Sequence, residues 1–124
     1  MRRDLDLIRQ IAFVVESAKD GIDSESIHIP AYTPSQIGYH CDLMNDSGLI
    51  DTYSTQTLSS EFATFHINRL TSKGHDFADA ARNETIWNKA KSTISSTVGG
   101  VTIDIMIRYL KAQALNALGL SPDS

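Results

Sequence analysis

An α+β fold is what this chain of 124 residues predicts, and three observations carry that prediction. A helical apolar stripe, Ile37, Cys41 and Met44, ends at Gly48 and runs into Leu49-Ile50. An alternating strand-like run, Glu61 to Leu70, leads into Arg69-Leu-Thr-Ser-Lys-Gly-His-Asp-Phe77. Two further amphipathic helical stretches follow. A strand ending in Leu-Thr, then two residues, a glycine and a helix, is how the wing of a winged-helix domain closes. The expected architecture is winged-helix-like, with a small antiparallel sheet and two additional C-terminal helices. We expect a single domain over 1–124, its core at 1–71 and a helical extension at 72–120.

The first helix is expected over Arg2 to Ala18, where Leu5, Ile8, Ile11 with Ala12, and Val15 recur at three- and four-residue steps. Asp4 and Asp6 fall in its first turn, which the helix dipole favours, and Asp20-Gly21 is the stop. Ser26-Ile-His-Ile-Pro30 alternates polar and apolar residues and predicts a short strand closed by Pro30. Thr33 then caps a helix whose first residue is Pro34. Gly48 takes the left-handed position at its end.

Ile50 to Tyr53 predicts a strand, Ser54 to Ser60 the wing tip, and Glu61 to Leu70 the return strand. Phe62, Thr64 and His66 share one of its faces; Ala63, Phe65 and Ile67 share the other. Thr71 or Ser72 caps the next helix, which carries Phe77, Ala80 and Ala81 and then Ile86, Trp87, Ala90 and Ile94. Asn83-Glu84-Thr85 kinks it or begins a new segment, and Thr97 to Gly100 breaks it. Thr102 caps the last helix, which ends at Gly119 and Pro122.

Composition narrows the function. The hydrophobic fraction is 41% and the charged fraction 21%, ordinary for a globular protein. No apolar run approaches the roughly 18 residues of a membrane span, and the charged start Met1-Arg-Arg-Asp4 does not predict a secretory signal. A single cysteine, Cys41, cannot form an internal disulfide, which fits a reducing cytoplasm. The net charge is -4, and no Lys or Arg lies between Asp20 and Asn68. That interval holds the helix and wing with which a winged-helix protein would read DNA, and DNA affinity rests on cations meeting phosphates.

Four blocks carry a family resemblance: Met1-Arg-Arg-Asp-Leu-Asp-Leu-Ile-Arg-Gln-Ile11; Tyr39-His40 through Gly48-Leu49-Ile50; Arg69-Leu-Thr through Trp87-Asn88-Lys89; and Gly99-Gly100 with Thr102 and Asp104. With them the chain resembles a small bacterial and phage family catalogued as a domain of unknown function, DUF 2513. The resemblance implies the fold and a phage or mobile-element origin, and it brings no activity with it. One departure from a helix-turn-helix stands out. The slot for the helix ahead of the recognition helix, Ser24 to Tyr32, is predicted as strand and loop.

Arg2, Arg3, Gln36, Tyr39, His40, Arg69 and Lys73 are the candidate contacts to a partner or to DNA. Gln and His suit base edges, while Arg and Lys suit phosphates. Asp42, Asp46 and Asp51 would repel phosphate, so an ordinary solvated or protein-contacting helix face is preferred. Ile103, Met106, Ile107, Leu110 and Ala114 form a near-heptad stripe that suggests self-association through the last helix, against the alternative that the helix caps the core of a monomer. Trp87 is expected to pack between the C-terminal helices and the first helix.

Catalytic and metal chemistry are not expected. His40-Cys41 with His28, His66 or His75 lacks the paired spacing of a zinc site. Ser72, His75 and Asp76 lack a nucleophile elbow. The expectation is a cytoplasmic, non-enzymatic phage or mobile-element protein without a cofactor, acting through protein–protein contacts, one form of which is inhibition of a host nucleic-acid-handling complex. The alternative is a winged-helix DNA-binding transcriptional regulator.

Overall fold

A computed structural model describes residues 1–54, 64–98 and 103–119, with the side chains of 54 and 95–98 excepted. The expected wing tip beyond Ser54, which ends a strand, the start of the return strand, and Gly99, Gly100, Thr102 and Pro122 lie outside the described residues. The fold is α+β, with five α-helices and a three-stranded antiparallel sheet among the described residues. The chain divides into two compact units, Met1–His75 and Asp76–Ser124.

In the first unit, α1 spans Leu5–Ser17. It begins later than periodicity suggests because Asp4 is its cap: the carboxylate accepts the Leu7 N–H at 3.2 Å. Its apolar stripe, Leu7, Ile8, Ile11, Ala12 and Val15, is buried against α2, Pro34–Asp46, and the return strand β3, Phe65–Leu70. The start of α2 is built by a full capping box. Thr33 Oγ1 accepts the Gln36 N–H, and Gln36 Oε1 accepts the Thr33 N–H. Gly48 ends the helix with φ at +76°, a conformation that costs a side-chain-bearing residue 1–2 kcal/mol or so.

The expected strand at Ser26–Pro30 does not form. Strand β1 is the dipeptide Ile22–Asp23, followed by one 3₁₀ turn at Ser24–Ser26. Two long-range bonds fix β1 and the turn on β3. Ser24 Oγ accepts the Phe65 N–H, and the Asp23 carboxylate takes the His66 Nδ1 at 2.8 Å. Ile27 and Ile29 are buried all the same. Their two-residue spacing therefore records core contacts and not sheet pairing.

Strand β2, Ile50–Ser54, pairs antiparallel with β3, and the sheet order is β1-β3-β2. The register slips between Asp51 and Thr52, which pair with Arg69 and Ile67. This bulge leaves Asn68 and Arg69 both exposed and turns Leu70 back into the core, three residues after Ile67. Simple alternation would have put Leu70 outside.

Thr71 then joins the sheet to α3, Ser72–Ala81, which carries the chain into the second unit. Its N–H bonds to the Leu49 carbonyl, and its hydroxyl donates to the Gly48 carbonyl and accepts the Gly74 N–H. A Cβ on Gly74 would overlap the Leu49 carbonyl, so only glycine lets the helix start this close to the strand.

In the second unit, α4 spans Glu84–Val98 and packs on α5, Ile103–Ala117. The break before α4 is a true helix start, since Asn83 Oδ1 accepts the Ile86 N–H. Trp87 is buried and meets Phe77 edge-on, with centroids 5.9 Å apart. Among the described residues no helix is long and apolar enough to cross a membrane.

Candidate functional site

The candidate contact residues separate into three groups. The first is drawn inward. His40 is 1% exposed, and both of its ring nitrogens are engaged. Nδ1 lies 2.7 Å from the Gln36 carbonyl, which can only accept, so Nδ1 carries the proton. Nε2 must then accept, and it takes the Asp4 N–H at 2.8 Å. The neutral Nδ1–H tautomer satisfies both bonds. Gln36 is likewise committed, its amide oxygen to the capping box and its carbonyl to His40. Asp4 ties a third element in, because its carboxylate accepts the Tyr32 hydroxyl at 2.8 Å. This bond, with burial and the charges of Asp4 and Asp6, pushes the Tyr32 phenol up to about 12.

The second group secures the junction of helix and sheet. Lys73 Nζ donates to the Ser47 carbonyl at the end of α2, where a cation suits the helix dipole. Arg69 donates to the Leu70 carbonyl at 3.0 Å. These two cations from the most distinctive stretch of the sequence are thus anchored on backbone oxygens.

The third group stays at the surface. Arg2 and Arg3 are exposed ahead of α1, and Tyr39 is half-buried on α2. Beside Tyr39 along α2, Asp42 and Leu43 are half-buried and Asn45 and Asp46 exposed; on β2, Asp51 is exposed and Tyr53 is 57% exposed. Tyr53 stacks on His66, with centroids 5.0 Å apart, and Asn68 donates to Asp51. α2 and β2 carry the carboxylates Asp42, Asp46 and Asp51 and contain no Lys or Arg, and Arg69 of β3 stands opposite Asp51 in the pairing.

The stripe suggested for self-association is already covered in a lone chain. Ile103, Met106, Ile107 and Leu110 are buried, and Ala114 is half-buried. Cys41 is also fully buried, and loss of solvation pushes its thiol up to about 12. Tyr32 and the hub at Asp4 carry no local signal, since the partners lie 28 and 36 residues apart.

The family model described as hypothetical protein (DUF2513) matches residues 2–101. A relative from Haemophilus influenzae, described as an uncharacterized protein, is 30% identical over 115 residues, covering 84% of this chain and 87% of that protein. No solved structure matches. The chain belongs to the DUF2513 family.

Proposed function

We propose that this DUF2513 protein is a non-enzymatic interaction module of winged-helix type, which docks the outer face of α2 and the neighbouring β2 onto a basic surface of a protein partner. One observation carries the reading: where a DNA-reading winged helix concentrates cations, the outer side of α2 presents Asp42 and Asp46 beside Tyr39 and Leu43, and the helix contains no Lys or Arg. A carboxylate-flanked aromatic and aliphatic patch suits a protein anchor, with charge setting partner choice and approach rate. Against DNA the same charges would repel. The winged-helix assignment is supported by the order α1-β1-α2-β2-β3 and the sheet order β1-β3-β2, with a 3₁₀ turn where the helix ahead of the recognition helix would stand.

Surfaces that bind nucleic acid are basic, so a nucleic-acid-handling complex of the host is the class of partner this charge fits. A phage or mobile-element protein inhibiting such a complex would use this face to occupy the basic groove. The test is a titration with random duplex DNA at low and then moderate salt. The expected result is no binding at low salt. Binding that weakens steeply as salt rises would overturn the proposal in favour of a DNA-binding regulator.

A further inference from the structure

Between the 3₁₀ turn and α2 the first unit holds an open groove of about 320 Å³. Ile27, Ile29, Pro30, Pro34 and Ile37 give it apolar walls, and Tyr32 and His28 its polar ones. Its shape is set locally. The Tyr32 N–H bonds to the Ile29 carbonyl, and Ala31 sits at φ +74°, a type II turn with Pro30 at its first corner. The Tyr32 hydroxyl points to Asp4, whose carboxylate is fixed by the Leu7 N–H on its other oxygen.

The volume lies at the lower edge of small-molecule pockets, which run from roughly 300 to 1,000 Å³, and suits one side chain better than a cofactor. The charge selects which side chain. No Lys or Arg occurs from Asp20 to Asn68, so the walls supply nothing to hold an anion. The ionised groups acting on the Tyr32 hydroxyl are Asp4 and Asp6. A lysine or arginine matches both halves of the groove. Its methylene stem covers the exposed rings of Pro30 and Pro34 while its cation meets the Tyr32 ring and the Asp4 carboxylate bonded to it.

We propose that this groove receives a lysine or arginine side chain of the protein partner, with the stem on the exposed Pro30 and Pro34 and the cation at the Tyr32–Asp4 pair. The assignment rests on the basic-partner reading above and adds a site to it, away from the outer face of α2. The probe is acetylated hexalysine, titrated at low salt into the ¹⁵N-labelled full chain and followed by amide shifts. Saturable shifts are expected at Ile27, His28, Ile29, Tyr32 and Ile37. Asp4→Asn keeps a good helix cap through its one amide oxygen and turns an N–H toward the Tyr32 hydroxyl, which can accept it; it removes the charge and should weaken binding about fivefold. Glu84→Gln, which removes the same charge from α4, should leave it unchanged.

Shifts confined to Asp42, Asp46 and their neighbours would overturn the groove while sparing the basic-partner reading. No shifts in either region would overturn both. Equal groove shifts with acetylated hexaglutamate would overturn the choice of a cation, and so would an Asp4→Asn variant that binds as tightly as the parent.

Discussion

The His40 ring joins the chain ahead of α1 to the middle of α2, and its replacement by phenylalanine isolates what that junction contributes. The His40→Phe variant fills nearly the same volume, so no large cavity opens. It removes both ring nitrogens. The Gln36 carbonyl keeps its helical bond and loses little. The Asp4 N–H, held at 2.8 Å by Nε2, loses its acceptor in a half-buried site. Leaving a buried donor unmade costs about 1–3 kcal/mol, so a loss near 2 kcal/mol is expected, set against a total of roughly 5–15 kcal/mol for a domain. At about 4 °C per kcal/mol for a chain of this length, the melting temperature falls by about 8 °C. Urea unfolding followed by circular dichroism reads the loss, and hydrogen exchange at the Asp4 amide locates it. A loss under about 0.5 kcal/mol with that amide still protected would refute the His40–Asp4 bond. A nitrogen spectrum of the parent with the proton on Nε2 would refute it independently.

Three further outcomes follow from the same structure. The folded protein holds the Tyr32 proton more tightly than the unfolded chain, from an ordinary value near 10 up to about 12. Its contribution is therefore whole below pH 10 and lost as pH rises through about 12; the urea midpoint should fall over pH 10–12 in the parent, and less in Tyr32→Phe. Cys41, buried and pushed up to about 12, should react with a disulfide reagent at pH 8 only at the rate of unfolding, and fast labelling of the native chain would contradict its burial. Met106→Lys places a cation at a fully buried position and should cost about 3 kcal/mol in a melting experiment, whatever the oligomeric state. An unchanged melt with a fall in sedimenting mass to 13.6 kDa would mean that α5 is a subunit interface after all.

Local signals were the legible ones. Thr33-Pro34 and Gly48 marked both ends of α2 because caps act within three or four residues, while Asn83-Glu84-Thr85 read as either a kink or a new segment until the Asn83 cap showed a helix start. What escaped depends on distant partners. Ile27 and Ile29 alternate as a strand would, yet pairing went to Ile22–Asp23, which β3 holds through Phe65 and His66. Leu70 turns inward through a bulge that exists only once β2 has paired with β3. His40 lies among the polar residues of α2, and its burial is decided by Asp4. Of the residues singled out as contacts, Arg2, Arg3 and Tyr39 keep surface positions. Gln36 is tied up by a capping box whose Thr-x-x-Gln spacing is local and readable, whereas Lys73 is held by the Ser47 carbonyl 26 residues away.

The face of α2 can be interrogated directly by putting a photo-crosslinking phenylalanine analogue at Tyr39 and, separately, at Ile105 on α5, and irradiating host cells. Docking through α2 predicts an adduct from position 39 with a protein, at a peptide rich in Lys and Arg, and none of that adduct from position 105. A nucleic-acid adduct from position 39, or the same protein captured only from position 105, would contradict it.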